Sequence, residues 1–215
     1  AEAGSLCDEL GCASRPLARD RTGASDLGSW MADALLAAFP GADVALQNSG
    51  GIRADLPAGT VRRETLQRVM PFDNRAVVVT LTGAQLRTAL RIGASGAHGL
   101  LQLAGARYGL DPDRTGGSDL DGDGAVEEFE RDRLCEVTVG GAPLDDARTY
   151  RVVTSDFLVN GGDDLGPAFA GAPVVETGPL LREVLYEQAD RAEGCLGDKP
   201  LVDPAAPRIR VGRCK

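Results

Sequence analysis

The chain has 215 residues, a formal net charge of −9 and one histidine, His98. This length fits one globular domain or two small ones, and the negative charge disfavours a nucleic acid polymer as partner. No run approaches the ~20 apolar residues of a membrane-spanning helix. The single histidine excludes much hydrolytic chemistry, because dinuclear metal centres commonly need several imidazoles.

The elements follow in chain order, after residues 1–16, which lack periodicity and are predicted to be a linker. We predict helices at 25–39 with Ser25 as the N-cap, and at 64–70, 83–91 and 180–188. We predict strands at 43–47, 75–82, 100–110 and 207–213, and two more in CEVTVGGAPL and YRVVTSD. This alternation is typical of an α+β fold with mixed β-sheet layers covered by helices.

The cysteines are bunched near the two termini and form no CxxC motif. This pattern indicates disulfides and a secreted, periplasmic or cell-surface location. We predict the pairs Cys7–Cys12 and Cys195–Cys214, which leaves Cys135 as a buried thiol. Five reduced thiols in a cytosolic protein are the alternative.

Three glycine-rich or polar loops follow predicted strands or a short helix: NSGGIR at 48–53, PFDN at 71–74 and SDFLVNGGDD at 155–164. Phe72 and Phe157 lie in these polar loops and could hold a flat heteroaromatic ring, with Asn74 and Asp163 at its edge. Arg53 offers a planar fork of donors to a phosphate or carboxylate. Tight turns, a surface arginine and phenylalanines that cap the core are the alternative interpretation.

The ordered set of NSGGIRADLPAG, RRETLQRVMPFDN and VVTSDFLVNGGDD resembles the C-terminal domain of the 5'-nucleotidase family from about Arg19 to about Arg191. The resemblance implies a nucleotide-binding domain that works beside an N-terminal metallophosphoesterase domain, which holds two catalytic metals and a His-Asp pair. It implies the following binding residues: Phe72 and Phe157 stacked on the base, Asn74 and Asp163 on base or ribose, Arg53 and Arg21 near phosphate, carboxylate or hydroxyl groups, and Asn48 and Gly51 in the first loop.

Two positions depart from the family pattern. The family often has two arginines four residues apart before the first helix, whereas here Leu17 precedes Arg21 at that spacing and Arg19 is offset. The ligand-lining loop before LLQLAG differs in length, so that either Gly96 or Gly99 could occupy it.

The resemblance assigns residues 1–18 to an N-terminal segment and 19–215 to the domain. Without the metal motifs of the partner domain, the chain alone is predicted to bind a nucleotide or nucleoside but not to hydrolyse it. The start at Ala1, within the expected interdomain linker, favours a domain of a larger enzyme over a stand-alone binding module. The alternative function is a non-catalytic, calcium-stabilised binding or adhesion module with the same fold.

An acidic insertion at 111–132 holds nine acidic residues and two arginines, a net charge of −7. Its segment DLDGDGAVEEFE matches the twelve-residue loop that wraps calcium, with Gly124 at the sharp turn and Val126 expected to point inward. The predicted ligands are Asp119, Asp121, Asp123, the carbonyl of Ala125, Glu127 and Glu130. No helix precedes the loop, so a half EF-hand with a structural calcium ion is expected, and a solvated acidic loop is the alternative.

Overall fold

The computed structural model describes residues 5–214. Within this range the helices are α1 Asp26–Ala38, α2 Arg63–Val69, α3 Gly83–Ser95, α4 Asp156–Val159, α5 Gly166–Phe169 and α6 Leu181–Asp190. The strands are β1 Glu9–Ala13, β2 Val44–Gln47, β3 Gly59–Arg62, β4 Arg75–Thr82, β5 Gln102–Ala104, β6 Ala106–Leu110, β7 Leu134–Val139, β8 Ala142–Pro143, β9 Thr149–Ser155, β10 Val174–Leu180 and β11 Ile209–Val211. None of the described helices combines the length and apolar character that a membrane crossing requires.

The described residues form three β-sheets. The central sheet has the order β10-β4-β9-β2-β5, and it is antiparallel except for the parallel pair β2 and β9. A second sheet has the order β11-β6-β7-β8, and β1 pairs with β3 in a small third sheet. The predicted α+β class with mixed sheets and covering helices is confirmed.

Apolar side chains on both faces of the central sheet make two cores. Along β4, Val78 packs into a core with α1 and α6, while its neighbour Val79 packs into a second core with α3. The same alternation puts Val153 of β9 in the first core and Val152 in the second. Because successive strand residues point to opposite faces, a strand buried on both faces is a continuous apolar run in sequence.

The first helix begins as the sequence predicts. The Ser25 hydroxyl accepts a hydrogen bond from the Gly28 amide at 2.9 Å, which satisfies one of the free donors of the first turn. Gly28 also has a packing role, since a Cβ there would lie 2.4 Å from the buried Gln102 side chain.

Several predicted boundaries are wrong. The stretch predicted as a linker contains β1, whose Leu10 is buried in the first core. The predicted strand 100–110 is divided at Gly105, where φ is +78° and a Cβ would lie 2.1 Å from the Asp43 carbonyl oxygen. Helix α3 runs on to Ser95, and the sequence pattern missed β10, an exposed edge strand whose polar and apolar residues do not alternate.

The two predicted disulfides are also wrong. The structure joins Cys12 to Cys195 and Cys135 to Cys214, and leaves Cys7 exposed and unpaired. Strand pairing determines the disulfide partners. Strand β1 meets the segment after α6 at the Ala13–Leu196 bridge, which brings Cys12 to Cys195, and β11 and β7 both flank β6, which brings Cys214 near Cys135. Disulfide formation as such, expected from the cysteine pattern, is present.

Candidate functional site

Topology brings the three predicted loops to one edge of the central sheet. The parallel strands β2 and β9 are neighbours, so their carboxyl ends lead into the segments 48–53 and 156–164 at the same edge. Strand β4 runs antiparallel to β9 with Ala76 opposite Ser155, which places the preceding loop 71–74 there as well. Loops at the carboxyl ends of parallel strands commonly form ligand sites in α/β sheets.

These loops enclose a cleft of about 320 Å³. All eight residues predicted for substrate binding lie on its wall, and Gly50 and His98 join them: Arg21, Asn48, Gly50, Gly51, Arg53, Phe72, Asn74, His98, Phe157 and Asp163. The size is at the lower end of pockets that hold a small organic ligand. The roles of these residues toward a ligand remain predictions.

The two phenylalanines are exposed at the cleft. Phe72 and Phe157 expose 41% and 42% of their surface, although large aromatic side chains are usually well buried. The Arg53 guanidinium carbon lies 5.8 Å from the centroid of the Phe72 ring, within the range of a cation–π contact. On the other side, a Cβ on Gly162 would lie 2.4 Å from the Phe157 ring, so this glycine makes room for the ring.

Polar groups on the cleft wall form an ordered network. The Asn48 side-chain amide donates to the Asp163 carboxylate at 2.8 Å. The Gln47 side chain in turn donates to the Asn48 side-chain oxygen at 3.0 Å, and Gln47 and Asn48 are both buried. Gly51 is required beside them, because a Cβ there would lie 2.7 Å from the same Asn48 oxygen. The network orients the Asp163 carboxylate before any ligand arrives.

Arg21 and Arg53 supply positive charge to the cleft. Each guanidinium donates to a backbone carbonyl, Arg21 to His98 at 2.8 Å and Arg53 to Gly50 at 3.1 Å. Within residues 5–214, neither side chain has a carboxylate within salt-bridge distance, unlike most arginines in this part of the chain. Their charge is therefore available to an anionic ligand group.

Three further residues considered from the sequence are also placed. The Arg19 side chain donates to the Ile52 carbonyl at 3.0 Å and lies near Asp55, outside the cleft wall. Gly96 and Gly99 are both absent from the wall, although a Cβ on Gly99 would lie 3.0 Å from the Arg21 side chain. Sequence analysis missed His98 as a lining residue, because its partner Asp164 lies 66 residues away in the chain.

The acidic insertion folds into a loop whose carboxylates converge. Oxygen atoms lie within 4.8 Å of one another in two overlapping groups that could hold a metal ion: Asp119, Asp121 and Asp123, and Asp121, Glu127 and Glu130. Glu130 is fully buried, and its carboxylate accepts hydrogen bonds from the amides of Leu120, Asp121 and Glu127. The hydrogen bond with Glu130 raises the pKa of the Glu127 carboxyl, and burial and Asp123 raise it further.

An all-oxygen donor set suits a hard cation such as calcium. Gly124 has φ +92° at the sharp turn, as expected for the sixth loop position, and Glu128–Glu130 form a short 3-10 turn. The expectation for Val126 is wrong, because its side chain is 47% exposed and lies against Gly117 at the surface.

Comparisons with known proteins agree with this geometry. The model of the family "5'-nucleotidase, C-terminal domain" matches residues 4–171. The chain is 32% identical over 186 residues to the trifunctional nucleotide phosphoesterase protein YfkN of Bacillus subtilis, covering 83% of this chain and 12% of that protein. The chain therefore belongs to the family of 5'-nucleotidase C-terminal domains.

Two more relatives extend the comparison. The cell wall protein Lmo0130 of Listeria monocytogenes is 35% identical over 162 residues, covering 70% of this chain and 19% of that protein. The crystal structure of a 5'-nucleotidase precursor from Thermus thermophilus superposes with a TM-score of 0.79 at 30% identity, covering 96% of this chain and 40% of that one. The chain thus spans less than half the length of each of these relatives.

Proposed function

We propose that the chain is the nucleotide- or nucleoside-binding, substrate-specificity domain of a 5'-nucleotidase-like phosphohydrolase. The observation that carries this proposal is the pair of exposed rings, Phe72 and Phe157, at one cleft beside two arginines without carboxylate partners. A nucleotide has the matching parts, a flat apolar base and an anionic phosphate. The base stacks between the rings, and Arg21 and Arg53 meet the phosphate or the groups beside it.

The polar wall supplies the edge contacts. Asp163, already oriented by Asn48, accepts hydrogen bonds from ribose hydroxyls or base amino groups, and Asn74 can both donate and accept. Stacking alone tolerates any base, since every base has a π-face. Selectivity among bases therefore depends on these edge groups rather than on the rings.

Hydrolysis requires groups that the cleft lacks. The cleft wall holds one imidazole and one carboxylate, and among the described residues no group of three potential metal ligands lies there; catalytic divalent metals belong to the N-terminal metallophosphoesterase domain that the family resemblance implies. We propose that this chain binds and presents the phosphate, while the partner domain of the parent protein cleaves it. The disulfides and the similarity to a cell wall protein support a secreted, periplasmic or cell-surface location.

Calorimetric titration of the 215-residue chain with adenosine and with AMP tests the binding proposal. Both ligands should bind saturably, and Phe72→Ala or Phe157→Ala should weaken binding by about 5- to 150-fold, the range for loss of one base stacking contact. Val211→Ala, which truncates another exposed apolar side chain away from the cleft, is the control and should have no effect. Absence of binding, or equal affinity in all variants, would refute the proposal.

We propose further that the acidic loop binds one structural calcium ion through the six predicted ligands. The buried Glu130 carboxylate, which has three amide donors but no cationic side chain within salt-bridge distance in the described chain, supports this. Calcium should release or absorb heat and raise the melting temperature. Asp121→Ala should abolish both effects, whereas Asp113→Ala, outside the loop, should retain them. If calcium changes neither quantity in the unmutated chain, the loop is a solvated acidic insertion.

A further inference from the structure

A contact between His98 and Asp164 lies beside the cleft. The His98 Nε2 atom lies 2.6 Å from an Asp164 carboxylate oxygen, and the two side chains are 42% and 47% exposed. His98 lies in the turn after α3, and Asp164 follows the cleft residue Asp163. The pair therefore ties the turn after α3 to the segment that carries Asp163.

That segment has an unusual backbone. Asp163 has φ +52° and Asp164 has φ +60°, and within residues 5–214 they are the two non-glycine residues with positive φ. Two consecutive left-handed residues with side chains are unfavourable unless the surroundings hold them. Asn48 holds the Asp163 side chain, and His98 holds the Asp164 side chain.

The turn that carries His98 is itself fixed at both ends. Arg133 donates to the carbonyl of Ser95, and Arg21 donates to the carbonyl of His98 at 2.8 Å. Gly96 and Gly99 take the positive φ values that the turn requires. Because this turn is fixed, the His98 ring can hold the Asp164 side chain in place.

We propose that His98 is a positioning residue: through Asp164 it holds the left-handed segment that directs Asp163 into the cleft, and its charge makes ligand affinity depend on pH. This inference rests on the proposed function, since Asp163 is taken as a ligand contact. Histidine is the side chain that ordinarily changes charge between pH 5 and 8. Protonated His98 forms an ion pair with Asp164, whereas the neutral ring donates at most one hydrogen bond to the carboxylate and adds no charge of its own, so affinity should be higher at the acidic end.

Charged side chains from several elements face His98. Asp163 and Asp164 face it from the 162–164 turn. The cationic side chains around it are Arg21 from the segment before α1, Arg53 across the cleft and Arg133 behind the turn. The two carboxylates favour a positive charge on the ring, and the arginines oppose it.

The test measures adenosine affinity by calorimetry at about pH 5.5 and about pH 8, on either side of the ordinary histidine range. The unmutated chain should bind about two- to fivefold more tightly at the lower pH, as expected for a half-exposed ion pair. His98→Gln keeps a hydrogen-bond donor and Asp164→Asn keeps a residue that tolerates positive φ, and both should remove the pH dependence. Asp146→Asn, which breaks the similarly exposed pair with Arg87 away from the cleft, should retain it.

A second measurement needs no ligand. In nuclear magnetic resonance spectra of the free chain, amide signals of residues 161–165 should follow the titration of the lone imidazole, and Asp164→Asn should abolish this response. Signals that ignore the titration, or adenosine affinity that is equal at both pH values while binding persists, would overturn the inference and leave the proposed function intact. A chain that binds neither adenosine nor AMP would overturn both.

Discussion

Removal of the Cys12–Cys195 disulfide should cost the protein a large part of its stability. The bridge joins residues 183 positions apart, and it ties the N-terminal strand β1 to the segment after α6. For a closed loop of this length, the chain-entropy relation gives about 5 kcal/mol, and removal of native disulfides typically costs about 2–5 kcal/mol. We therefore expect Cys12→Ala combined with Cys195→Ala to lower the free energy of unfolding by that amount.

Urea denaturation under non-reducing conditions measures the effect, with Cys7→Ala as the matched control. Because Cys7 is exposed and unpaired, its substitution should change the free energy of unfolding by less than about 0.5 kcal/mol. A thiol assay on the denatured, unreduced chain should count one reactive group. Five thiols, or a double variant as stable as the Cys7 control, would refute the disulfide assignment and the reasoning from strand pairing.

Three further predictions concern the cleft and the cores. Gly162→Ala should weaken adenosine binding much more than it lowers the melting temperature, because its Cβ would collide with the Phe157 ring; calorimetry and thermal melting compare the two effects. Gly28→Ala should lower the unfolding free energy by about 1–3 kcal/mol, since its Cβ would press on buried Gln102. Burial raises the pKa of the Tyr108 hydroxyl above its ordinary value, so the stability that it contributes is full below about pH 10 and is lost as pH rises further; in urea melts Tyr108→Phe should reduce that alkaline loss.

The sequence was most informative where local chemistry decides the structure. Ser25 predicted the start of α1 because a hydroxyl at that position caps free amides, and the apolar run 75–82 predicted β4. The ordered loops with Phe72 and Phe157 indicated the cleft residues before any distances were known. These signals operate within a few residues or through a motif.

Long-range pairing could not be predicted from the sequence. Cys7 and Cys12 are near in the chain, yet β1 pairing carries Cys12 to Cys195, and the parallel pairing of β11 with β6 brings Cys214 to Cys135. The edge strand β10 was missed because most of its side chains are exposed to solvent and apolar and polar residues do not alternate along it. His98 gave no local signal, since its partner Asp164 lies 66 residues away.

A structure of the chain crystallised with adenosine tests the central claim most directly. We predict electron density for the purine between the Phe72 and Phe157 rings, with Asp163 within hydrogen-bond distance of the ribose or the base. Purine density elsewhere on the surface, or a cleft that stays empty at saturating adenosine, would contradict it.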